Sequence, residues 1–400
     1  MTNQYNKAYV NRSIVLLFIT FGLVFMDKQS FTFLLPFIQK DLGLNNTTSG
    51  LVLGILSLFF GLSTVIFSSL SDVIGSKKRV LIIFVLLFSA ATLSVGFIKN
   101  VTSLVVIRAI MGITEGPVVP VILAIVLAIS PEAKRGINMG FVKGAGPLMS
   151  GVLAPLILIP IAAHYNWKWG FYTLAIPGFI MALLLWKYLK EPVFETTVKP
   201  SWTELKTVFK KRNIILCLLI SVFYMTTLIS FVGFAPLYLT NFKKLGQTDI
   251  SILLTAFGLG SFIWFFIIPA ISDRWGRRPV LILFAFLSMG LPLFMAFSDF
   301  GVWPTAIGIL LLTCASGYMS LFDAIIPSES VPHQYAASVM AATILTGEVI
   351  GGTFGPILMG VMADKFDLRA AFFVGAAAAF IAFLLSLAIK ETKSPEKNGV

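Results

Sequence analysis

Apolar residues recur along almost the whole chain in runs of about twenty, separated by short stretches where charges, glycine and proline gather. A run of that length crosses a hydrocarbon core of about 30 Å as an α-helix. Twelve are predicted, at 13–38, 49–70, 79–97, 102–129, 137–162, 169–189, 213–240, 250–271, 279–297, 302–326, 336–362 and 370–389. The pattern is that of an all-α polytopic membrane protein. Its one long polar interruption, 190–212, contains Pro192 and Pro200. That stretch reads as a solvated linker between an N-terminal six-helix bundle (1–189) and a C-terminal one (213–400), with T-E-L at 203–205 starting a short surface helix.

Composition agrees: of 400 residues, 57% are hydrophobic and only 12% charged, too apolar for a soluble globular chain. The net charge of +12 raises the question of nucleic acid, and the placement of the bases answers it. With alternate loops on opposite sides and both termini together, 20 of the 30 Lys and Arg fall on the side of the termini, 7 on the other and 3 within helices. That bias marks the terminal side as cytoplasmic, in a plasma or inner membrane, and implies no nucleic-acid partner. The first run is too long for a signal-peptide core and lacks a small-residue cleavage pattern, so it is expected to stay as helix 1. Cys217 and Cys314 lie in predicted helices, which excludes a disulfide framework. The sequons at Asn45, Asn46 and Asn100 are short enough to arise by chance, and His164 and His333 fall in loops, where a solvated histidine is the default. Since no metal cluster, nucleophile motif or cofactor loop is present, neither an enzyme nor a cofactor is expected.

The informative residues are charges inside apolar runs, which are costly in hydrocarbon and turn toward a bundle interior or a water-filled cavity. In helix 4 the run R-A-I-M-G-I-T-E-G-P spans Arg108 to Pro117. Arg108 and Glu115, seven residues apart, share a helix face about 10 Å apart along the axis, either as a functional pair or as one that only fixes packing. Gly112 between them is expected to keep the surface concave for a ligand. Helix 1 carries adjacent Asp27 and Lys28 about halfway along, which differ by about 100° in direction, so at least one faces a polar interior. Glu348 is expected near the midplane of helix 11, in binding or coupling. Asp323, within about a turn of the terminal end of helix 10, is expected to be interfacial or gating. Lys143, about 9 Å into helix 5, either snorkels to the interface or guides an anion. Tyr224, Phe231 and Tyr318 are aromatic candidates to face a cavity. G-A-G-P-L-M-S-G at 144–151 is expected to pack and bend helix 5.

An internal repeat ties the halves together. S-S-L-S-D-V-I-G-S-K-K-R-V at 68–80 and P-A-I-S-D-R-W-G-R-R-P-V at 269–280 place Asp72 and Asp273 201 residues apart in matching inter-helix loops. Both stretches resemble the loop motif G-x-L-A-D-R-x-G-R-K of the major facilitator superfamily. The first keeps Leu70, Asp72, Gly75 and Lys77, with Ser68 and Val73 as departures; the second keeps Asp273, Arg274, Gly276, Arg277 and Arg278. The resemblance extends over the twelve-helix plan and implies two six-helix bundles related by pseudo-two-fold symmetry. It implies a cytoplasmic gate of Asp72, Gly75, Lys77, Arg135, Asp273, Arg274, Gly276 and Arg277, with Asp72 facing the start of helix 11 near Ala336 and Asp273 the start of helix 5 near Gly136.

Within that superfamily, the Asp-basic pair in helix 1, R-x-x-x-G-x-x-E-G in helix 4 and G-x-x-G-G-x-x-G-P in helix 11 look like the anion:cation symporter branch. The resemblance implies uptake of a small organic anion, such as a sugar acid or other carboxylate, with H⁺ or Na⁺, by a protein expected to be a monomer in the bilayer. Lys28 and Arg108 would bind the substrate with Tyr224, Tyr318 and Glu348, and Asp27 and Glu115 would couple the proton. Loaded, a protonated acid frees the bases for the substrate; empty, the deprotonated acids pair with the bases, so either state is neutral. Glu115→Gln is then expected to abolish proton-driven accumulation and spare exchange. Lys28 stands where the branch usually has Arg, Phe25 where it often has Tyr, and Glu348 where it usually has Asn. The alternative is a proton-coupled exporter of organic cations using Asp27, Glu115 and Glu348; the incomplete helix 5 motif speaks against it and the acid-rich second half for it. A non-transporting receptor would call for large soluble domains, which this chain does not show.

Overall fold

A computed structural model describes residues 6–74, 76–192 and 202–392. Twelve helices long and apolar enough to cross a membrane follow in chain order. They are α1 (Lys7–Leu42), α2 (Asn46–Ile74), α3 (Lys77–Val95), α4 (Val101–Ile129), α5 (Arg135–His164), α6 (Trp167–Tyr188), α7 (Arg212–Phe242), α8 (Gln247–Trp275), α9 (Arg277–Phe297), α10 (Val302–Glu329), α11 (Gln334–Lys365) and α12 (Arg369–Leu387). A linker helix, Trp202–Phe209, precedes α7. Large side chains such as Ile66, Phe97, Leu183 and Trp186 stay exposed on the outside of the bundles, where hydrocarbon replaces water as their solvent.

Local chemistry sets the helix ends. Asn6 accepts from the Ala8 N–H to cap α1, Ser76 accepts from the Arg79 N–H to cap α3, and Asn100 and Ser103 form a reciprocal capping box on α4. Several spans are irregular inside. The α4 ladder changes at Gly116-Pro117, splitting it into Val101–Glu115 and Val118–Ile129, because proline contributes no N–H. Wide π turns interrupt α5 at Pro147–Leu153, α10 at Leu321–Ile325 and α11 at Gly347–Gly351. In α5 the wide turn meets α8 where Gly151 and Gly258 bring the two backbones together, leaving no room for a Cβ on either. The glycine-proline stretch of helix 5 thus bends and packs it.

The six-helix bundles meet along α2 with α11 and α5 with α8. On the side away from the termini, Asp364 of α11 accepts from the Asn46 N–H at 3.0 Å, the Thr47 N–H at 2.8 Å and the Thr47 hydroxyl at 2.6 Å. Asn241 of α7 donates to Gln39 of α1 at 2.8 Å, and Ser251 of α8 to the Pro155 carbonyl of α5 at 3.4 Å. On the terminal side the first turns of α5 are exposed, and the space beside Gly136 and Gly140 is open. The bundles are joined on the side away from the termini and parted toward it.

Candidate functional site

Five charged side chains converge near the middle of the membrane, from α1, α4 and α11. Lys28 reaches across the bundle interface and donates to Glu348 Oε1 at 2.6 Å. Its ammonium also lies over the Phe60 ring, 4.3 Å from the centroid. The wide turn in α11 aims Glu348 at α1, and the second oxygen of that carboxylate, Oε2, has no hydrogen-bond partner among the described residues. Such turns recur at functional sites because they redirect a side chain without ending the helix.

Behind that pair lies a sealed cluster. Asp27 accepts a hydrogen bond from the Thr92 hydroxyl of α3. The Arg108 guanidinium stacks on Phe31, 4.4 Å from its centroid, and its Nε and Nη1 have no hydrogen-bond partner among the described residues. Glu115 lies within electrostatic reach of Asp27, Arg108 and Lys28, with both carboxylate oxygens buried. Exposure separates the two groups: the Lys28 and Glu348 side chains are 14% and 13% exposed, whereas Asp27, Arg108 and Glu115 are at 2%, 1% and 0%.

Two expectations change here. Gly112 does not open a concave surface to a ligand: a Cβ there would lie 2.6 Å from the Leu56 carbonyl oxygen and 2.9 Å from the Phe60 nitrogen. It is small so that α2 can lie against α4, and the Ser63 hydroxyl donates to its carbonyl at 3.0 Å. The empty site is not neutral with every acid deprotonated either, because Glu348 joins it and sets three carboxylates against two cations.

Nearer the terminal side, Asp323 of α10 and Lys143 of α5 lie within electrostatic reach of each other across the bundle interface. Asp323 is 8% exposed and lies in the wide turn of α10, covered by protein and not open to solvent.

A sequence model of the major facilitator superfamily matches residues 17–349 and 243–400, which together run over nearly the whole chain. The chain belongs to the major facilitator superfamily. It is 28% identical over 253 residues to the hexuronate transporter of Bacillus subtilis (strain 168), a stretch covering 60% of this chain and 59% of that protein. To the D-galactonate transporter of Escherichia coli O6:H1 it is 29% identical over 182 residues, covering 45% of this chain and 41% of the relative. A putative niacin/nicotinamide transporter of Bacillus subtilis is 24% identical over 385 residues, 93% of this chain and 94% of that one. The matched stretches thus span less than two thirds of the hexuronate and galactonate carriers. Among solved structures, a bacterial homolog of the human lysosomal transporter Spinster, inward-facing and unoccupied, superposes with a TM-score of 0.79 at 17% identity, covering 98% of this chain and all of that one. A D-xylose-proton symporter gives 0.78 at 17% identity, covering 96% and 99%. At that identity the superpositions bear on fold alone, and they match two six-helix bundles. Relatives and fold are those of transporters, not of enzymes.

For this member of the superfamily, the gate candidates lie at the terminal ends of the helices. Asp273 pairs with Arg277 at 2.6 Å, and Arg277 reaches Glu329 of α10 at 3.0 Å, all within the second bundle. Gly276 turns the chain between α8 and α9, and Arg274 is exposed. Lys77 opens α3, Arg135 is exposed and stands 3.9 Å from Glu132, and Asp72 sits in the last turn of α2. Gly75 lies outside the described residues. With the bundles parted on this side, the space beside Gly136 is open and not filled by Asp273.

Tyr224 lines a small gap inside the second bundle with Phe231, Phe257, Ser288 and Ser316, and Tyr318 packs beside it. The two tyrosines pack edge to face, centroids 5.3 Å apart, with Phe322 in the core of the second bundle, at 4% and 0% exposure. Phe231 stacks on Phe257 at 4.4 Å in the same way. Aromatic rings in a tightly packed bundle bury more area against each other than against a water-filled gap. Other participants were not singled out from the sequence: Thr92, Phe31 and Phe60 around the charges, and two glutamates just past α6 and α12. Glu191 accepts from the Ser76 hydroxyl at 2.5 Å and the Lys78 N–H at 3.3 Å, while Glu391 accepts from the Arg277 and Arg278 N–H groups at 2.9 and 3.0 Å. The dipeptide Lys-Glu at 190–191 and again at 390–391 is the sequence signal for that pair.

Proposed function

We propose that this transporter takes up a small organic anion, a sugar acid or a similar carboxylate, together with a proton by alternating access. The observation that carries the reading is two cations in one cluster, Lys28 at the bundle interface and Arg108 sealed behind it, with Nε and Nη1 of Arg108 unpartnered among the described residues. A guanidinium and an ammonium within electrostatic reach of one carboxylate, Glu115, favour an anionic substrate and disfavour a lipophilic cation. The hexuronate and D-galactonate transporters among its relatives support the same substrate class. A substrate carboxylate meets Lys28 first and reaches Arg108 as α1 and Phe31 shift. Asp27, Glu115 and Glu348 supply the carboxylates among which the coupling proton is held. With the termini on the cytoplasmic side, as the Lys and Arg bias indicates, the state described here is open to the cytoplasm, and the Asp72 and Asp273 loops form the gate that closes it. The two bundles then correspond to 1–189 and 213–400, with 190–212 as the cytoplasmic linker.

The test uses purified protein in proteoliposomes with an internal pH dye, to which sugar acids, other monocarboxylates, dicarboxylates and lipophilic cations are added outside. Internal acidification with one carboxylate class, lost in Arg108→Ala, is the expected result. Acidification only under an imposed sodium gradient would assign Na⁺ as the coupling ion. A second reading, export of an organic cation, is favoured by the third carboxylate, Glu348; it wins if cations alone disturb an imposed pH gradient.

A further inference from the structure

Among the described residues of the central charge cluster, Lys28 and Glu348 are the two that are partly solvent-accessible, and they stand on opposite bundles. The cross-bundle hydrogen bonds of Gln39, Asn46, Thr47 and Ser251 lie on the side away from the termini. The Lys28–Glu348 bridge is therefore the bond that a solute entering from the open side meets at the floor of the gap. It consists of a carboxylate held on an ammonium. Any substrate carboxylate that binds Lys28 must compete with it.

We infer that Glu348 is a tethered stand-in for the substrate: the arriving carboxylate takes its place on Lys28, and Glu348, left without its cation, binds the proton that travels with the substrate. This rests on the organic-anion reading above. The charge count requires it. Three carboxylates and two cations leave the empty site one charge short of neutral, so the count calls for one resident proton, shared by the two sealed carboxylates Asp27 and Glu115 that bulk water does not reach. Adding a monoanion calls for a second proton. A carboxylate stripped of its ion-pair partner in a site of low polarity must find a new cation or a proton. That proton comes from water in the gap, since the Glu348 side chain is partly exposed there and the Asp27–Glu115 pair is sealed.

Among the described residues, Lys28 is the cation paired with Glu348. From α1 Glu348 faces Lys28; from α10 it senses Asp323, an acid, whose own cross-interface cation is Lys143 of α5. The neighbouring turns of α2 and α7 pack uncharged Ser57 and Ser221 against the glycines on either side. Behind Lys28 lie Asp27, Arg108 and Glu115. Leaving Lys28 thus means taking a proton. Binding and protonation become one event, and the coupling needs no relay between distant sites.

The experiment measures protons taken up on binding, using purified protein in weakly buffered detergent solution with a pH dye, with D-glucuronate and D-galactonate as probes and thermal shift as an independent measure of binding. Wild-type protein should take up about one proton per bound probe near pH 8, and its affinity should fall by up to about tenfold per pH unit as pH rises. Glu348→Gln should bind the probe without proton uptake and with an affinity independent of pH. Asp299→Asn, which removes an exposed carboxylate paired with Lys243 outside the gap, should keep the wild-type uptake. If Glu348→Gln takes up protons like the wild type, or Asp299→Asn loses the uptake too, the assignment to Glu348 is wrong while the anion reading stands. If neither probe nor any other carboxylate binds wild-type protein, the anion reading falls and takes this inference with it. Should Glu348→Gln fail to fold, Glu348→Asn carries the same test with a shorter amide.

Discussion

Lys28 and Glu348 are 320 residues apart in the chain and 2.6 Å apart across the interface between the two bundles. Helix 1 and helix 11 are tied at the midplane by one ion pair, and rocking the bundles must break that pair or carry it. Removing Lys28 alone strands a half-buried carboxylate, whereas removing both charges leaves nothing to desolvate. Lys28→Met should therefore lower stability by about 2 kcal/mol, and Lys28→Met/Glu348→Gln should recover most of it. Thermal unfolding in detergent reads the cycle. A double variant no more stable than the single one would mean that the two charges do not hold each other in solution.

Arg108 makes a different demand. Its guanidinium sits over the Phe31 ring, and Nε and Nη1 have no hydrogen-bond partner among the described residues. Lysine keeps the charge and loses both the planar stacking and the fork of donors. Arg108→Lys should fold normally, judged by gel filtration and melting, while the concentration for half-maximal uptake rises at least about tenfold, the cost of roughly one charge-assisted hydrogen bond. Unchanged uptake would remove Arg108 from the binding site and leave it a packing role against Phe31.

Gly112 tests the packing of α2 on α4. A valine there places its Cβ against the Leu56 carbonyl and the Phe60 nitrogen, both backbone atoms with no freedom to turn aside. Overpacking of this kind costs about 1–3 kcal/mol, so Gly112→Val should melt markedly earlier. Because Phe60 covers the Lys28 ammonium, transport should fall as well. A variant that melts like the wild type would show that the two helices can separate without loss.

Much of this architecture is legible in the sequence, because membranes impose simple rules. Twelve apolar runs, one polar linker and a repeated Asp-x-x-Gly loop motif are enough to place the helices in two bundles. Asp27, Lys28, Arg108, Glu115 and Glu348 stand out because charge in an apolar run is rare, and the structure does bring all five to one place. What stays hidden depends on side-chain direction. The wide turns at Leu321–Ile325 and Gly347–Gly351 rotate Asp323 and Glu348 to faces that a regular helical period does not give. That Tyr224 and Tyr318 pack on each other and on Phe322 stays hidden for the related reason that an aromatic ring in an apolar run carries no mark of which neighbour it packs against. Phe31 and Phe60 are two among 37 phenylalanines, and only the fold shows that these cover the cations.

Asp364 ties the two bundles together on the side away from the termini. It accepts from two backbone N–H groups and a hydroxyl at the first turn of α2, clamping α11 to the other bundle where a helix N-terminus favours an anion. Asp364 is exposed, so each bond contributes less than a sealed one would, and together they hold about 1–2 kcal/mol of preference for the state described here. Asp364→Ala should shift the balance toward the state closed on the terminal side by about tenfold. The readout is the labelling rate of a single cysteine placed at Ile137, which is 73% exposed at the mouth of the gap and would be covered as the bundles close there. Cys217 and Cys314 are buried, so the background is low. Slower labelling in Asp364→Ala, with Gln39→Ala giving a smaller change in the same direction, is expected if these bonds act as a clamp. An unchanged rate would place the balance elsewhere, and the Lys28–Glu348 bridge is then the next bond to cut.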